Sequence, residues 1–183
     1  MSSLRIFHEG DSQKTVYESE DCEEIASQLS KVAVSFERWP LAQMAAAAGE
    51  EEVLAAYDDC LAEQKALGGY RAADVISLSP GDPDKQTLRQ KFLDEHTHHE
   101  DEVRFFVGGS GLFSLHIDSE VYVLLCTAGD LIRVPANFRH WFDMGPNPDF
   151  TCIRLFTDPE GWVAHLTGDN ISDRFPLLET EPG

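Results

Sequence analysis

The sequence predicts an α+β protein that is mainly β, with helices in its first part and a barrel of short strands after them. Six short apolar stretches between residues 96 and 156 are separated by Gly and Asp turn signals, a pattern typical of an all-β sandwich or barrel. Ahead of them, two segments carry apolar residues at helical spacing. We therefore expect N-terminal helices packed outside a strand barrel.

The N-terminal third predicts a mixture of strands and helices. Residues 4–8 and 15–17 are expected strands around a Gly-Asp turn. Asp21 is the expected N-cap of a helix, because two glutamates follow it in the first turn, where the helix dipole favours acids. Residues 34–38 predict a third strand.

A longer helix is predicted over residues 50–67, where five apolar residues form one stripe. Its expected end is the Gly pair at 68–69, since glycine adopts the left-handed backbone of a helix C-terminus without strain. Residues 73–78 predict a strand, and residues 84–92 a shorter helix.

The barrel strands are expected near residues 96–107, 111–117, 121–126, 131–134, 139–143 and 151–156, with a hairpin turn at 108–111. A brief helical or irregular piece and a loose acidic tail should follow. We interpret the chain as a single domain, 1–183. It comprises a mixed part over about 1–90, a barrel core over about 92–157 and a C-terminal segment over 158–183.

The charge balance narrows the candidate partners. Lys and Arg total 14 against 33 Asp and Glu, a formal net charge of -19. Such a surface repels phosphate backbones and anionic lipids, so nucleic acid and membranes are poor partners. No apolar run approaches the roughly 20 residues of a membrane span. Four scattered cysteines without a Cys-x-x-Cys pair indicate reduced thiols, and we expect a cytoplasmic monomer.

The segment around residues 95–104 carries the strongest chemical signal. If it is extended, His96, His98, Glu102 and Arg104 share one parity and point to the same side. Two imidazoles and a carboxylate on one face suit a divalent first-row metal. His99 has the opposite parity and is excluded. The alternative is an exposed, charged edge strand that happens to contain histidines.

A second segment supplies a further candidate ligand. In GDLIRVPANFRH, residues 129–140, a Gly-led strand and a Pro turn precede His140. Taken alone, His140 is more often a core or surface histidine. It becomes a candidate fourth ligand because the first segment needs one.

These two segments resemble the two motifs of the cupin superfamily. The first is HTHHEDE at 96–102 followed by Gly109, and the second is residues 129–140. Gln90, Asn137 and Met144 stand where the motifs usually have Gly, Gly and Asn; Asn also tolerates left-handed backbone. The resemblance implies a jelly-roll barrel with the metal inside it.

Longer blocks resemble the acireductone dioxygenase family. The N-terminal third resembles the bacterial members of this family in the order of its elements. The longer blocks are DEHTHHEDEVRFFV at 94–107, Ile132 to Ala136, HWFDMG at 140–145 and RLF at 154–156, within about residues 92–162. The resemblance implies one Fe(II) or Ni(II) per chain, held by His96, His98, Glu102 and His140. Four protein ligands on an octahedral ion leave two positions for a bidentate substrate.

The same resemblance implies a reaction and further site residues. The substrate would be acireductone of methionine salvage, cleaved by O2. Iron would give 4-methylthio-2-oxobutanoate and formate, and nickel would give methylthiopropionate, formate and carbon monoxide. The implied roles are catalytic for Arg104, substrate-binding for Phe92, Phe142, Arg154 and Trp162, and accessory for Glu95 and Asp101. Arg104 could instead form a salt bridge, the aromatic residues could be barrel core, and the acids could be solvated.

Two other readings use the same ligands. One is another metal cupin, such as a flavonol-type dioxygenase or a sugar isomerase, and the other is a non-catalytic, metal-binding regulatory cupin. Both leave the extended match around residues 96–107 unexplained.

Overall fold

The computed structural model describes residues 1–45, 48–158 and 163–178, and these form eleven strands and four α-helices. The helices are α1 (Cys22–Ser30), α2 (Glu50–Ala56), α3 (Asp58–Gly68) and α4 (Lys85–Leu93), with a 3-10 helix at Ile171–Arg174. The strands are β1 (Ser3–His8), β2 (Asp11–Ser19), β3 (Ser35–Arg38), β4 (Ala72–Leu78), β5 (His96–Thr97), β6 (Glu102–Ile117), β7 (Glu120–Thr127), β8 (Asp130–Val134), β9 (Arg139–Asp143), β10 (Phe150–Phe156) and β11 (His165–Leu166).

The helix predicted after Asp21 is confirmed, and the one predicted over 50–67 is divided. The Asp21 side chain accepts hydrogen bonds from the amides of Glu23 and Glu24, which caps α1. Tyr57 interrupts the longer helix with a backbone of φ -120° and ψ 16°. Its ring packs edge-on against Phe105 at 4.8 Å and its hydroxyl accepts from the Ala42 amide at 2.9 Å. These tertiary contacts outweigh the helical pattern.

Strand β6 organises the sheet because it belongs to two sets of antiparallel neighbours. Its first part pairs with β8 and β10, and its second part pairs with β7 and β9. The first set continues outward to β3 and β4. The second continues to β1 and β2 on one side and to β5 and β11 on the other.

The hairpin turn predicted at 108–111 is wrong, since β6 runs through it. Gly109 has φ +70°, and a Cβ there would lie 1.7 Å from the carbonyl oxygen of Asp149. A register shift against β10 accompanies it. The glycines therefore carry a β-bulge inside a long strand, which redirects the strand from one set of neighbours to the other.

The predicted class is confirmed: strands dominate and the N-terminal helices lie outside them. The main apolar cluster joins both strand sets through residues such as Phe106, Phe113, Leu124, Ile132 and Cys152. Separate clusters cover the outer faces, one of them beneath α2 and α3. No helix of the described residues is long and apolar enough to cross a membrane.

Candidate metal centre

Four predicted ligands reach one point from three different strands. His96 lies on β5 and pairs directly with His140 on β9, while Glu102 is the first residue of β6. His98 follows β5 in a bend that separates it from β6. The single extended strand predicted over 96–107 is wrong: β5 ends at Thr97, and β6 begins at Glu102. The side chains converge because the chain turns between His98 and Glu102.

The convergence is tight and buried. One donor atom from each of His96, His98, Glu102 and His140 lies within 4.8 Å of the others. The three imidazole centroids are 4.5–5.2 Å apart. All four residues are buried, with at most 6% of their surface exposed. Among the described residues, this is the group of histidines and carboxylates arranged as a metal would require.

Backbone carbonyls fix the orientation of all three imidazoles. The Nδ1 atoms of His96, His98 and His140 lie 2.7 Å from the Asp94 carbonyl, 2.9 Å from the Val163 carbonyl and 2.9 Å from the Phe138 carbonyl. A carbonyl only accepts, so each Nδ1 carries the proton and each Nε2 is the ligand atom. This is the usual arrangement around metal-bound histidine. The donor set fits a divalent metal ion.

Glu102 supplies the negative charge of the site. Burial raises the pKa of this carboxyl, but the positive Arg104 and the contact with His140 outweigh it and hold the pKa well below its usual range. Its Oε2 lies 2.8 Å from His140 Nε2 and 3.2 Å from His98 Nε2. The carboxylate is therefore ionised and placed among the imidazole ligand atoms.

His96 and His98 differ in their proton affinity. Burial lowers the pKa of His96 to about 4, with the His140 charge as the next cause, so this ring is neutral near pH 7. Burial also lowers the pKa of His98, but the hydrogen bond and charge of Glu102 outweigh it and raise the pKa above its ordinary value. A proton therefore competes with a metal for His98 more than for His96.

Arg104 lies beside the ligands and touches one of them. Its Nε donates to Glu102 Oε1 at 2.7 Å, and its guanidinium carbon lies 4.9 Å from the Phe142 ring centroid and 5.6 Å from that of Phe113. Arg104 is only 4% exposed. The salt bridge that sequence analysis left open is present, and it orients the carboxylate ligand.

Asp101 joins the two ligand-bearing segments. Its Oδ1 accepts from the Ala136 amide at 3.1 Å, and its Oδ2 accepts from the Tyr70 hydroxyl at 3.2 Å. Asn137, in the left-handed region at φ 64° as its substitution for Gly suggested, donates its amide to the His98 carbonyl at 2.7 Å. The loop before His140 is thereby tied to the bend that carries His98.

Glu95 is buried rather than solvated, and it contacts His116, a histidine that belongs to neither sequence motif. Its Oε2 lies 2.6 Å from His116 Nδ1, and its Oε1 accepts from the Thr167 hydroxyl at 2.7 Å. His116 has no neighbouring motif in the sequence. The informative signal is its pairing with Arg139, next to His140, which requires the strand register.

A pocket of about 680 Å³ opens beside His98 and includes Arg71, His99, Glu100, Thr157 and His165. The described residues that line it do not include Phe92, Phe142 or Arg154. Phe142 is buried in the main cluster, Phe92 packs against that cluster, and Arg154 forms a two-pronged ion pair with Asp74 at 2.9 and 2.6 Å. Their substrate-binding roles stay predictions. Trp162 lies outside the described residues.

Comparisons with known proteins agree with this geometry. The profile of the ARD/ARD' family matches residues 3–164. An acireductone dioxygenase from Pseudomonas paraeruginosa is 54% identical over 98% of this chain and 99% of its own length, and one from Hahella chejuensis is 51% identical over 98% and 97%. The crystallised acireductone dioxygenase from Bacillus anthracis, described with a cadmium ion in its active centre, is 33% identical with a TM-score of 0.77, over 90% of this chain and 98% of its own.

The family profile spans all four candidate ligands. The structural match confirms the cupin barrel expected from the two motifs. The two relatives align over nearly their whole length. The chain belongs to the acireductone dioxygenase family.

Proposed function

We propose that this protein is a metal-dependent dioxygenase that cleaves acireductone with O2, and that His96, His98, Glu102 and His140 hold its Fe(II) or Ni(II). The convergence of these four buried donors carries the proposal. The two relatives at 51% and 54% identity bear the name of this activity, which favours acireductone over the substrates of other metal cupins.

A divalent ion held by His96, His98, Glu102 and His140 would supply Lewis-acid chemistry for an anionic, enediolate-like substrate. The protein supplies the conditions for this. Three neutral imidazoles and one carboxylate leave a bound divalent ion with a net positive charge, which favours an anionic substrate. Burial of all four donors excludes water and so strengthens these electrostatic interactions.

Arg104 has two tasks in the proposal. Its hydrogen bond to Glu102 Oε1 fixes the carboxylate, which leaves Oε2 directed at the histidine ligand atoms. Its permanent charge, flanked by Phe113 and Phe142, also favours the deprotonated substrate in the barrel interior. Lysine would not reproduce this geometry, because it lacks the planar fork.

Both product branches balance without any further reductant. Acireductone and O2 give the 2-oxo acid and formate by cleavage of one carbon–carbon bond. Alternatively, they give methylthiopropionate, formate and carbon monoxide by cleavage of two. Both oxygen atoms of O2 enter the products in each case. The four ligands suit iron and nickel alike, so metal supply decides which branch operates.

The test is anaerobic addition of acireductone to protein loaded separately with Fe(II) and Ni(II), followed by admission of O2. We expect rapid loss of substrate absorbance with both metals and carbon monoxide from the nickel form alone. Absence of turnover with both metals, despite stoichiometric metal binding, would overturn the proposal.

Two variants locate the activity. His96→Ala removes one ligand and should abolish turnover together with metal binding. His8→Ala removes an exposed histidine side chain on β1, whose Nδ1 accepts a hydrogen bond from the Gly10 amide. This variant should behave like the wild type. Equal activity of the two variants would exclude His96 as a ligand.

The proposal includes a cytoplasmic location and a monomeric state. Four free cysteines, two of them fully buried, suit a reducing compartment. The net charge of -19 disfavours self-association. Light scattering after size-exclusion chromatography tests the monomer: a mass of twice 20.4 kDa would contradict it.

A further inference from the structure

Residues 163–167, called here the β11 segment, touch the metal centre at one end and Glu95 at the other. The Val163 carbonyl accepts from His98 Nδ1 at 2.9 Å. The Thr167 amide donates to the Glu95 carbonyl at 3.0 Å, and the Thr167 hydroxyl donates to Glu95 Oε1 at 2.7 Å. Between them, β11 pairs with β5, which carries His96.

Hydrogen bonds, rather than apolar burial, hold the β11 segment in place. All five of its residues are exposed, and Val163 and Leu166 leave 63% and 65% of their surface in solvent. A two-residue edge strand has little pairing energy of its own. The two hydrogen bonds from Thr167 to Glu95 therefore help to hold the segment against β5.

Glu95 can hold the segment only while its own carboxylate is fixed and compensated. The residue is 1% exposed, and burial of an unpaired carboxylate is costly. His116, itself 4% exposed, contacts Glu95 Oε2 through Nδ1 at 2.6 Å and Glu9 Oε2 through Nε2 at 3.0 Å. His116 therefore bridges the two acids, with one ring nitrogen against a carboxylate oxygen of each.

We propose that His116 is a positioning residue for the metal centre: bridging Glu9 and Glu95, it fixes the carboxylate that holds the β11 segment against His98. This rests on the proposed function only for the identity of the four ligands. His116 acts through Glu95 and Thr167 and contacts none of the ligands itself. Such supporting contacts orient ligands and sustain metal affinity.

The main test is His116→Leu, measured by Ni(II) affinity in chelator competition and by hydrogen exchange of the metal-free protein. We expect the dissociation constant for Ni(II) to rise by about 10–100-fold. The amides of His165 and Thr167, which face β5, should exchange faster by about tenfold or more, while those of β7 keep their rates. His116→Gln, whose side-chain amide can still donate to Glu95, should fall between the wild type and His116→Leu.

Ser114→Ala is the matched control. Ser114 lies two residues earlier on β6, is fully buried, and its hydroxyl has no hydrogen-bond partner among the described residues. It should keep the wild-type affinity and exchange rates. A folded His116→Leu that matches Ser114→Ala in both measurements would overturn the proposal and leave His116 a purely structural residue.

Thr167→Val keeps the test decisive if His116→Leu does not fold. The residue is exposed, so the change removes the hydroxyl from Glu95 Oε1 without disturbing the core. We expect weaker Ni(II) binding and faster exchange of the His165 amide, which faces β5, and wild-type values for both would contradict the proposal. Neither measurement uses acireductone, so failure of turnover would count against the proposed function alone.

Discussion

Glu102 and His140 lie on β6 and β9, strands of 16 and 5 residues that are paired on both sides. His96 and His98 lie on or just after β5, a strand of 2 residues. We call Glu102 and His140 the inner pair, and His96 and His98 the outer pair. The inner pair is positioned by the barrel, through β6 and β9. The outer pair depends on individual hydrogen bonds to the Asp94 and Val163 carbonyls and from the Asn137 amide.

This difference shows how the centre divides its tasks. Residues on central strands keep their positions because the pairing of their strands is cooperative. Glu102, the carboxylate of the site, is one of these residues. Residues near an edge can shift when a few hydrogen bonds change. The pocket reaches the metal centre beside His98, a member of the outer pair. The inner pair thus lies on the more extensively paired strands, and His98 of the outer pair faces the pocket.

Glu102→Gln should have the largest effect, because it breaks the inner pair. The substitution removes the only carboxylate among the four donors, and with it the charge to which the buried Arg104 donates. We expect loss of stoichiometric Ni(II) binding and a free energy of unfolding lower by about 3–5 kcal/mol. Metal analysis and denaturant unfolding measure the two effects, and retention of bound nickel would exclude Glu102 as a ligand.

Hydrogen exchange compares the two pairs without mutation. The amides of β9 should exchange at least about 100-fold more slowly than those of His165 and Thr167, because edge strands open locally while central strands open with the whole fold. Native-state exchange by NMR or mass spectrometry provides the measurement. Similar protection at both places would refute the division into inner and outer pairs.

The affinity for metal should rise with pH, chiefly through the outer pair. His98 has a raised pKa, so in acid a proton must leave its Nε2 before a metal binds. His96, with a pKa of about 4, is already neutral and adds little. Titration with Ni(II) between about pH 5.5 and 8 should therefore show weaker binding at the acid end. An affinity independent of pH would contradict the protonation assigned to His98.

Tyr70→Phe should have the smallest effect, since the Tyr70 hydroxyl contacts Asp101 and Arg133 and none of the four ligands. The hydroxyl donates to Asp101 at 3.2 Å, while Asp101 keeps its bond from the Ala136 amide. We expect a free energy of unfolding lower by about 1 kcal/mol and unchanged Ni(II) binding. A large loss of metal affinity would mean that Tyr70 controls the loop before His140.

Local features of the fold and the four candidate metal ligands could be predicted from the sequence alone. The N-cap of α1, the limits of β9 and the left-handed Asn137 follow from short-range chemistry that a few neighbouring residues decide. The spacing of the histidines and glutamate in residues 96–102 identified the ligand candidates. Their convergence was predicted correctly, but from an extended strand that does not exist.

Features that depend on contacts between residues far apart in the chain could not be predicted without the tertiary structure. Tyr57 divides a helix because its ring contacts Phe105 and its hydroxyl contacts the Ala42 amide. Strand β6 continues past Gly109, where the close approach of the Asp149 carbonyl leaves no space for a side chain. His116 and Glu95 are 21 residues apart in the chain and form a buried pair at 2.6 Å. Local sequence patterns describe the energy of a segment alone, whereas these positions are decided by contacts between segments, which become defined only when the barrel closes.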